Sequence, residues 1–235
     1  MEPRSKRVAS VGRDPVATSL HQQLKAAYAE RLGGEEEVAY GDYRVDVSYP
    51  GGVVEIQHAS LASIRGKTEE LLENKDVVIV KPLVFRRRLI KYAEKNGPLE
   101  SRRMSPKRGT WLDAFHDLIY FRDVFPHPRL TIELPAVEID EHRYPKKKHR
   151  FRKANYHIAD QVLANLIETR VLETGADVLA LLPTTLPEKF DTGDLAEKWG
   201  VSRWLCQRIT YFLRETEMIQ TVGKRGRSML YRPAA

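Results

Sequence analysis

Two short β-type runs, Val45-Asp46-Val47-Ser48-Tyr49 and Val53-Val54-Glu55-Ile56-Gln57, flank the turn Pro50-Gly51-Gly52 and constrain the fold more than any other part of the chain. Their alternation predicts a hairpin, and a spacing of two puts Glu55 and Gln57 on one face. Residues 61–74 then carry a helical pattern with Leu61, Ile64, Leu71 and Leu72 inward. Val77-Val78-Ile79-Val80-Lys81-Pro82-Leu83 follows as a continuous apolar run, the signature of a strand buried on both faces. A crossover helix between two strands of one sheet makes them parallel. The expected class is therefore α/β, with a mixed sheet.

Upstream, Asp14-Pro15 is a helix start, and Val16, Leu20, Leu24 and Tyr28 recur every four residues until Gly33-Gly34 ends the pattern. Downstream, 93–110 reads as a basic loop and Trp111–Phe125 as a helix. Arg129–Asp140 reads as a strand that Pro135 makes edge or irregular. Tyr156–Thr174 reads as a long helix with Ile158, Val162, Leu166 and Ile167 as its stripe. The expected division is a disordered basic tail at 1–13, a core domain at 14–145, a basic linker and connecting helix at 146–176, and a C-terminal domain at 177–235.

Asp46, Glu55 and Gln57 gather two carboxylates and an amide across one hairpin. With the carbonyl of Ile56 they form an oxygen-rich set suited to a hard cation such as Mg²⁺ or Mn²⁺. The bland alternative is a solvated hairpin face. A formal net charge of +7 favours an anionic partner, nucleic acid ahead of membrane, since no apolar run approaches membrane-spanning length. Cys206 is the single cysteine, which excludes a disulfide framework and a cysteine zinc site and suits a cytoplasmic protein. Hydrolysing a phosphodiester builds negative charge at phosphorus, and carboxylate-held metal answers that need.

These residues resemble the PD-(D/E)xK nuclease superfamily, and within it the CoiA-like competence-protein nuclease domain. The likeness runs from about 15 to 82 and rests on Arg44-Val45-Asp46-Val47 followed by Val54-Glu55-Ile56-Gln57-His58. Ser60, the pair Lys67-Thr68, and His21 with Lys25 extend it. The resemblance implies a restriction-endonuclease-like core in which Asp46 and Glu55 hold the metal and Gln57 stands where a lysine usually orients water. His21 would touch phosphate or orient a ligand. The family's helix usually carries a glutamate just before the histidine; Thr18 and Ser19 stand there here, with Glu30 and Glu37 as substitute acids. Since Gln57 carries no charge, a second metal or a neighbour such as Lys67 or Lys81 would meet the transition-state charge.

The C-terminal third reads as a short helix over ADVLALLP, a second over DLAEKWG, the turn Gly200-Val201-Ser202, a third helix from Arg203, and a hairpin with the basic tip Lys224-Arg225-Gly226-Arg227. It resembles the winged helix-turn-helix superfamily over about fifty residues. That implies groove contacts from Arg203, Gln207 and Arg208, phosphate contacts from Lys224, Arg225 and Arg227, and Trp204 as a core residue. The basic run holding Lys146, Lys147, Lys148 and Arg150 is a further candidate for phosphate contact, as is Lys67. The expected function is a metal-dependent DNA endonuclease. Two alternatives stay open: a non-catalytic DNA-binding regulator with an inactivated core, and an interaction module of a DNA-processing or phage-defence assembly. A homodimer is also open, since enzymes that cut both strands often pair.

Overall fold

The structure, a computed structural model, describes residues 18–146 and 155–234. The helix start at Asp14-Pro15 and the tail 1–13 lie outside the described residues. The first helix, α1 (Ser19–Leu32), instead takes Thr18 as its N-cap and ends at Gly33, whose φ of 61° is the left-handed value glycine tolerates. Three strands follow: β1 (Glu35–Tyr40), β2 (Tyr43–Tyr49) and β3 (Gly52–Ile56). Gly52 has no room for a side chain, since a Cβ there would stand 2.2 Å from the Asp76 carbonyl on the next strand. A single 3₁₀ turn (Leu61–Ser63) and α2 (Arg65–Leu72) cross over to β4 (Asp76–Val80), which pairs parallel with β3 as expected.

The remaining strands of this sheet are β5 (Leu83–Tyr92), β6 (Leu99–Met104), β7 (Leu130–Pro145) and β8 (Tyr156–Leu172), with α3 (Phe115–Leu118) between β6 and β7. The result is a mixed eight-stranded sheet in the order β1-β2-β3-β4-β7-β5-β6, with β8 on the other edge of β7. β4 and β5 lie end to end along one edge of β7. Val80 faces Glu133 and Leu83 faces Ala136, so the register places Pro82 level with Pro135. Pro135 therefore falls where β7 passes from one neighbour to the next. Its missing N–H is tolerated there, and of the two readings its proline allowed, edge or irregular, β7 is the irregular one: it is central, and its pairing with β8 slips beside the proline, between Ala136 and Val137.

Three other expectations are corrected. Residues 99–104, read as loop, form the polar edge strand β6. The helix expected over Trp111–Phe125 shortens to a 3₁₀ turn at Trp111–Ala114 and α3. The connecting helix expected after residue 155 is the strand β8. Its pairing with β7 slips in three places, and the slips explain the helix-like spacing of Ile158, Val162, Leu166 and Ile167. Each slip adds a residue and breaks the two-residue alternation. The stripe is not a buried face at all, since Ile158 and Leu166 are about half exposed.

Helices cover both faces. On one, Leu20, Leu24 and Tyr28 of α1 pack on Val47, Val54, Ile56, Val80, Val137 and Ile139. On the other lie α2, α3 and the C-terminal elements: α4 (Gly175–Leu179), α5 (Thr192–Trp199), α6 (Arg203–Glu215) and the hairpin β9 (Ile219–Arg225)–β10 (Ser228–Pro233). One continuous core joins Val53 and Ile79 of the sheet and Leu71 of α2 to Phe190, Leu195 and Phe212. Phe212 of α6 meets Phe115 edge-on at 5.9 Å between ring centroids and Phe125 at 6.4 Å. Each side chain of this size removed from water contributes about 1.5–3 kcal/mol.

Candidate active site at a break in the sheet

The β2–β3 ladder ends at Val47–Val54. The next donor on β3, the Ile56 N–H, is taken by a side chain: it donates to Asp46 Oδ2 at 2.7 Å. The neighbouring strand is irregular at the same level. Glu36 pairs with Val47 and Val38 with Val45, while Glu37 between them has a φ of 57°. Such a backbone is uncommon for a side-chain-bearing residue and tends to mark functional sites. The strand also rotates here. Val47 belongs to the α1-side core and Val45, two residues away, to the opposite core. Asp46 thus sits at a gap between strands, not on a simple alternating face.

α1 delivers His21 to this gap. The helix is pinned to β8 by the Ser19 N–H donating to Asp160 Oδ1 at 2.9 Å and the Leu163 N–H donating to Gln23 Oε1 at 2.8 Å. His21 Nε2 lies 3.1 Å from Asp46 Oδ1. That hydrogen bond raises the imidazole above its ordinary pKa, against the effect of burial. Burial would raise the Asp46 carboxyl too, but His21 and the Ile56 N–H outweigh it and hold it below its ordinary value.

Glu55 stands on a strand whose every residue is buried, and is itself 6 % exposed. Lys67, reaching from α2, places Nζ 2.6 Å from Glu55 Oε1 and also donates to the Arg44 carbonyl at 2.5 Å. The ion pair is close but poorly aligned, and Oε1 accepts no hydrogen bond of good geometry. Desolvation dominates. Even with Lys67 beside it, and with Asp46 adding like-charge repulsion, the Glu55 carboxyl is pushed up to about 7.

Gln57 turns away from this pair. Its amide nitrogen donates to the Ser60 carbonyl at 3.0 Å and to Ser63 Oγ at 2.6 Å, which fixes the turn after β3. The same turn is held from beneath by Lys81, 6 % exposed, which donates to the His58 and Ala59 carbonyls at 3.0 and 2.6 Å and pairs with Asp117 at 2.9 Å. Asp117 also accepts from the Leu61 N–H at 3.2 Å. Asp117 comes from α3, and no local pattern marks it in the sequence.

Other candidates separate. Glu30 lies on the exposed face of α1 and makes no ion pair or hydrogen bond with these groups among the described residues; Glu37, level with Asp46, pairs instead with Lys25 and Arg44. Lys147, Lys148 and Arg150 lie outside the described residues, and the Lys146 N–H donates to the Asn155 carbonyl at 3.0 Å. In the C-terminal unit, Arg203 donates to Thr192 Oγ1 at 3.1 Å and Ser228 Oγ at 2.7 Å, bridging α5 to the hairpin. With Gln207, Arg214 and Arg227 it lines a cleft of about 290 Å³ between α6 and β10. Arg208 does not face a groove. It donates to the His116 carbonyl at 2.7 Å and lies 4.7 Å over the Trp204 ring, clasping α6 to α3. Arg225 is tied to Asp194 at 2.9 Å, while Lys224 and Arg227 are exposed and without an ion-pair partner among the described residues. Trp204 is no core residue, being 56 % exposed and stacked on His116.

Among the described residues, no three His, Cys, Asp or Glu side chains stand close enough to hold a metal ion, and no helix is long and apolar enough to cross a membrane. Residues 18–173 match the family model described as Domain of unknown function (DUF8091). This chain belongs to the DUF8091 family. The matched segment ends one residue after β8, so the DUF8091 region is the large sheet with its covering helices, and the C-terminal helices and hairpin follow it. A Treponema pallidum (strain Nichols) protein, named "Uncharacterized protein", is 30% identical over 217 residues, 92% of this chain and 84% of its own length. That likeness therefore extends beyond the DUF8091 region into the C-terminal unit. No solved structure matches the chain.

Proposed function

We propose that this DUF8091 protein is a metal-dependent DNA endonuclease whose C-terminal unit is a winged helix that holds the DNA. The observation that carries the reading is Glu55: a carboxylate buried in a strand covered on both faces, with an oxygen no donor satisfies, beside Asp46 at a gap in the sheet. A fold tolerates such a group at a cost, and costs of this kind concentrate at functional sites.

Asp46 and Glu55, with the Ile56 carbonyl, are the residues that would hold Mg²⁺ or Mn²⁺, and their all-oxygen chemistry fits a hard cation. The chemistry such an ion supplies when bound is charge neutralisation at the phosphate and a more acidic water. The protein's own residues do the rest. The Ile56 N–H and His21 fix the Asp46 carboxylate. Lys67 brings the positive charge that Gln57 lacks, and brings it from a helix rather than from the strand. Gln57, its nitrogen engaged by Ser60 and Ser63, supports the site from outside by fixing the turn after β3. The order helix, turn, helix, hairpin in α5, α6 and β9–β10 supports the winged-helix reading. So do the exposed Gln207, Lys224 and Arg227.

One observation favours a second reading. Each site acid already has its own partner, His21 for Asp46 and Lys67 for Glu55. A DNA-binding regulator with a silent core needs no more. Plasmid and branched DNA incubated with Mg²⁺ or Mn²⁺ separate the two. Cleavage by wild type that is lost in Asp46→Ala with Glu55→Ala is the expected result. Binding without cleavage under either metal overturns the nuclease reading in favour of the regulator.

A further inference from the structure

Arginines crowd the far end of the sheet, and the chain treats them in two ways. Those on β5 are each matched by an acid on β7: Arg86 with Glu138 at 3.0 Å, Arg87 with Glu141 at 3.2 Å, Arg88 with Asp140 at 2.5 Å. Those on the outer side are not. Arg102 and Arg103 of β6, and Lys107 and Arg108 just after it, are exposed and have no ion-pair partner among the described residues. Four uncompensated cations on one edge form a local positive field that the paired inner arginines do not cancel.

Their position matters as much as their charge. β7 occupies one edge of the end-to-end strand made by β4 and β5; β3 and β6 share the other. Ile56 is level with Val80 on that edge, Met104 with Arg88, Arg103 with Leu89 and Arg102 with Ile90. Lys107 and Arg108 lie between, in a loop tied to the same edge by the Ser105 N–H on the Arg87 carbonyl and the Gly109 N–H on the Phe85 carbonyl. Counted along β7, where Glu133 and Asp140 mark the two levels, and at about 3.3 Å per residue, the distance from the level of Ile56 to that of Met104 is about 23 Å. That is the rise of roughly seven base pairs at about 3.4 Å each.

We infer that the β6 edge, through Arg102, Arg103, Lys107 and Arg108, is a track for the phosphodiester backbone of DNA that leads it to Asp46 and Glu55. The inference rests on the DNA reading above, yet it places the main electrostatic contact on the DUF8091 sheet instead of on the C-terminal hairpin. The test is fluorescence anisotropy of a short labelled duplex with the full chain in EDTA across a salt series. It compares wild type, the fourfold variant Arg102→Gln, Arg103→Gln, Lys107→Gln, Arg108→Gln, and the hairpin variant Lys224→Gln, Arg227→Gln. Circular dichroism and melting confirm that each is folded. Each lost phosphate contact removes about 0.9 from the slope of log affinity against log salt, so the fourfold variant should lose about 3 to 4 and bind at least about tenfold more weakly at low salt. Unchanged slope and affinity in the folded fourfold variant would leave these cations as guards of an edge strand and overturn the proposal. The two readings fail separately. If Asp46→Ala abolishes cleavage while the fourfold slope is unchanged, the nuclease stands and the track falls. If the slope drops but wild type never cleaves, the track stands and the nuclease falls. A wild type with no affinity for DNA overturns both.

Discussion

Replacing Glu55 by glutamine should stabilise this protein at alkaline pH even as it removes a site residue. The folded carboxyl binds its proton more tightly than the unfolded chain does, its pKa having moved from an ordinary 4.5 to about 7. Between those two values the folded state holds a proton that the unfolded state has released. Stability therefore falls as the pH climbs through that window and stays reduced above it. At 1.36 kcal/mol per tenfold change in proton affinity, the full loss is about 3 kcal/mol. That figure already contains the attraction of Lys67, because it compares charged with neutral Glu55 in place. Glutamine has the shape of the protonated acid, so it avoids the loss. In a chain of this size 1 kcal/mol moves the melting temperature by about 2–4 °C. Thermal denaturation in EDTA should show Glu55→Gln close to wild type at pH 5 and about 6–12 °C above it at pH 8. A variant no more stable than wild type at pH 8, or a difference that does not change with pH, would refute the claim that Glu55 is strained by burial.

Three further outcomes follow from the same geometry. His21 owes its raised pKa to Asp46, so its contribution to stability is complete below its ordinary 6.5 and disappears as the pH rises through the raised value; NMR titration should find the His21 midpoint lowered in Asp46→Asn, and a midpoint that stays put would contradict the pairing. Asp117→Ala strands the buried Lys81 ammonium on two carbonyls and should cost about 3 kcal/mol in urea unfolding, whereas Lys81→Met with Asp117→Leu should come close to wild type. Phe212→Ala empties the contact between α6 and the rings of Phe115 and Phe125 and should cost about 3–5 kcal/mol by the same assay.

The sequence disclosed the parts of this protein governed by local pattern. The hairpin around Pro50-Gly51, the crossover through α2 and the parallel entry of β4 all follow from alternation, turn chemistry and one unbroken apolar run. β8 was illegible because its bulges destroy the period that identifies a strand. β6 was illegible because an exposed edge strand needs no apolar face to show. Within the site, Asp46 and Glu55 stood out as acids among valines. Lys67 was a candidate too, but that it pairs with Glu55 was not legible, and Asp117 carried no signal, because both reach the site only through the packing of α2 and α3. The irregularity at Glu37 is a property of three strands together, and no residue type announces it.

The shared core of sheet and C-terminal unit bears on how this molecule melts and how it can be divided. Phe115, Phe121 and Phe125 belong to the DUF8091 region, yet they are sealed by side chains that follow it, Phe212 among them. A chain cut after β8 would present those rings to water as a sticky patch. Calorimetry of the whole protein should then give one heat-absorption peak whose calorimetric and van't Hoff enthalpies agree, the mark of a cooperative unit instead of two beads on a string.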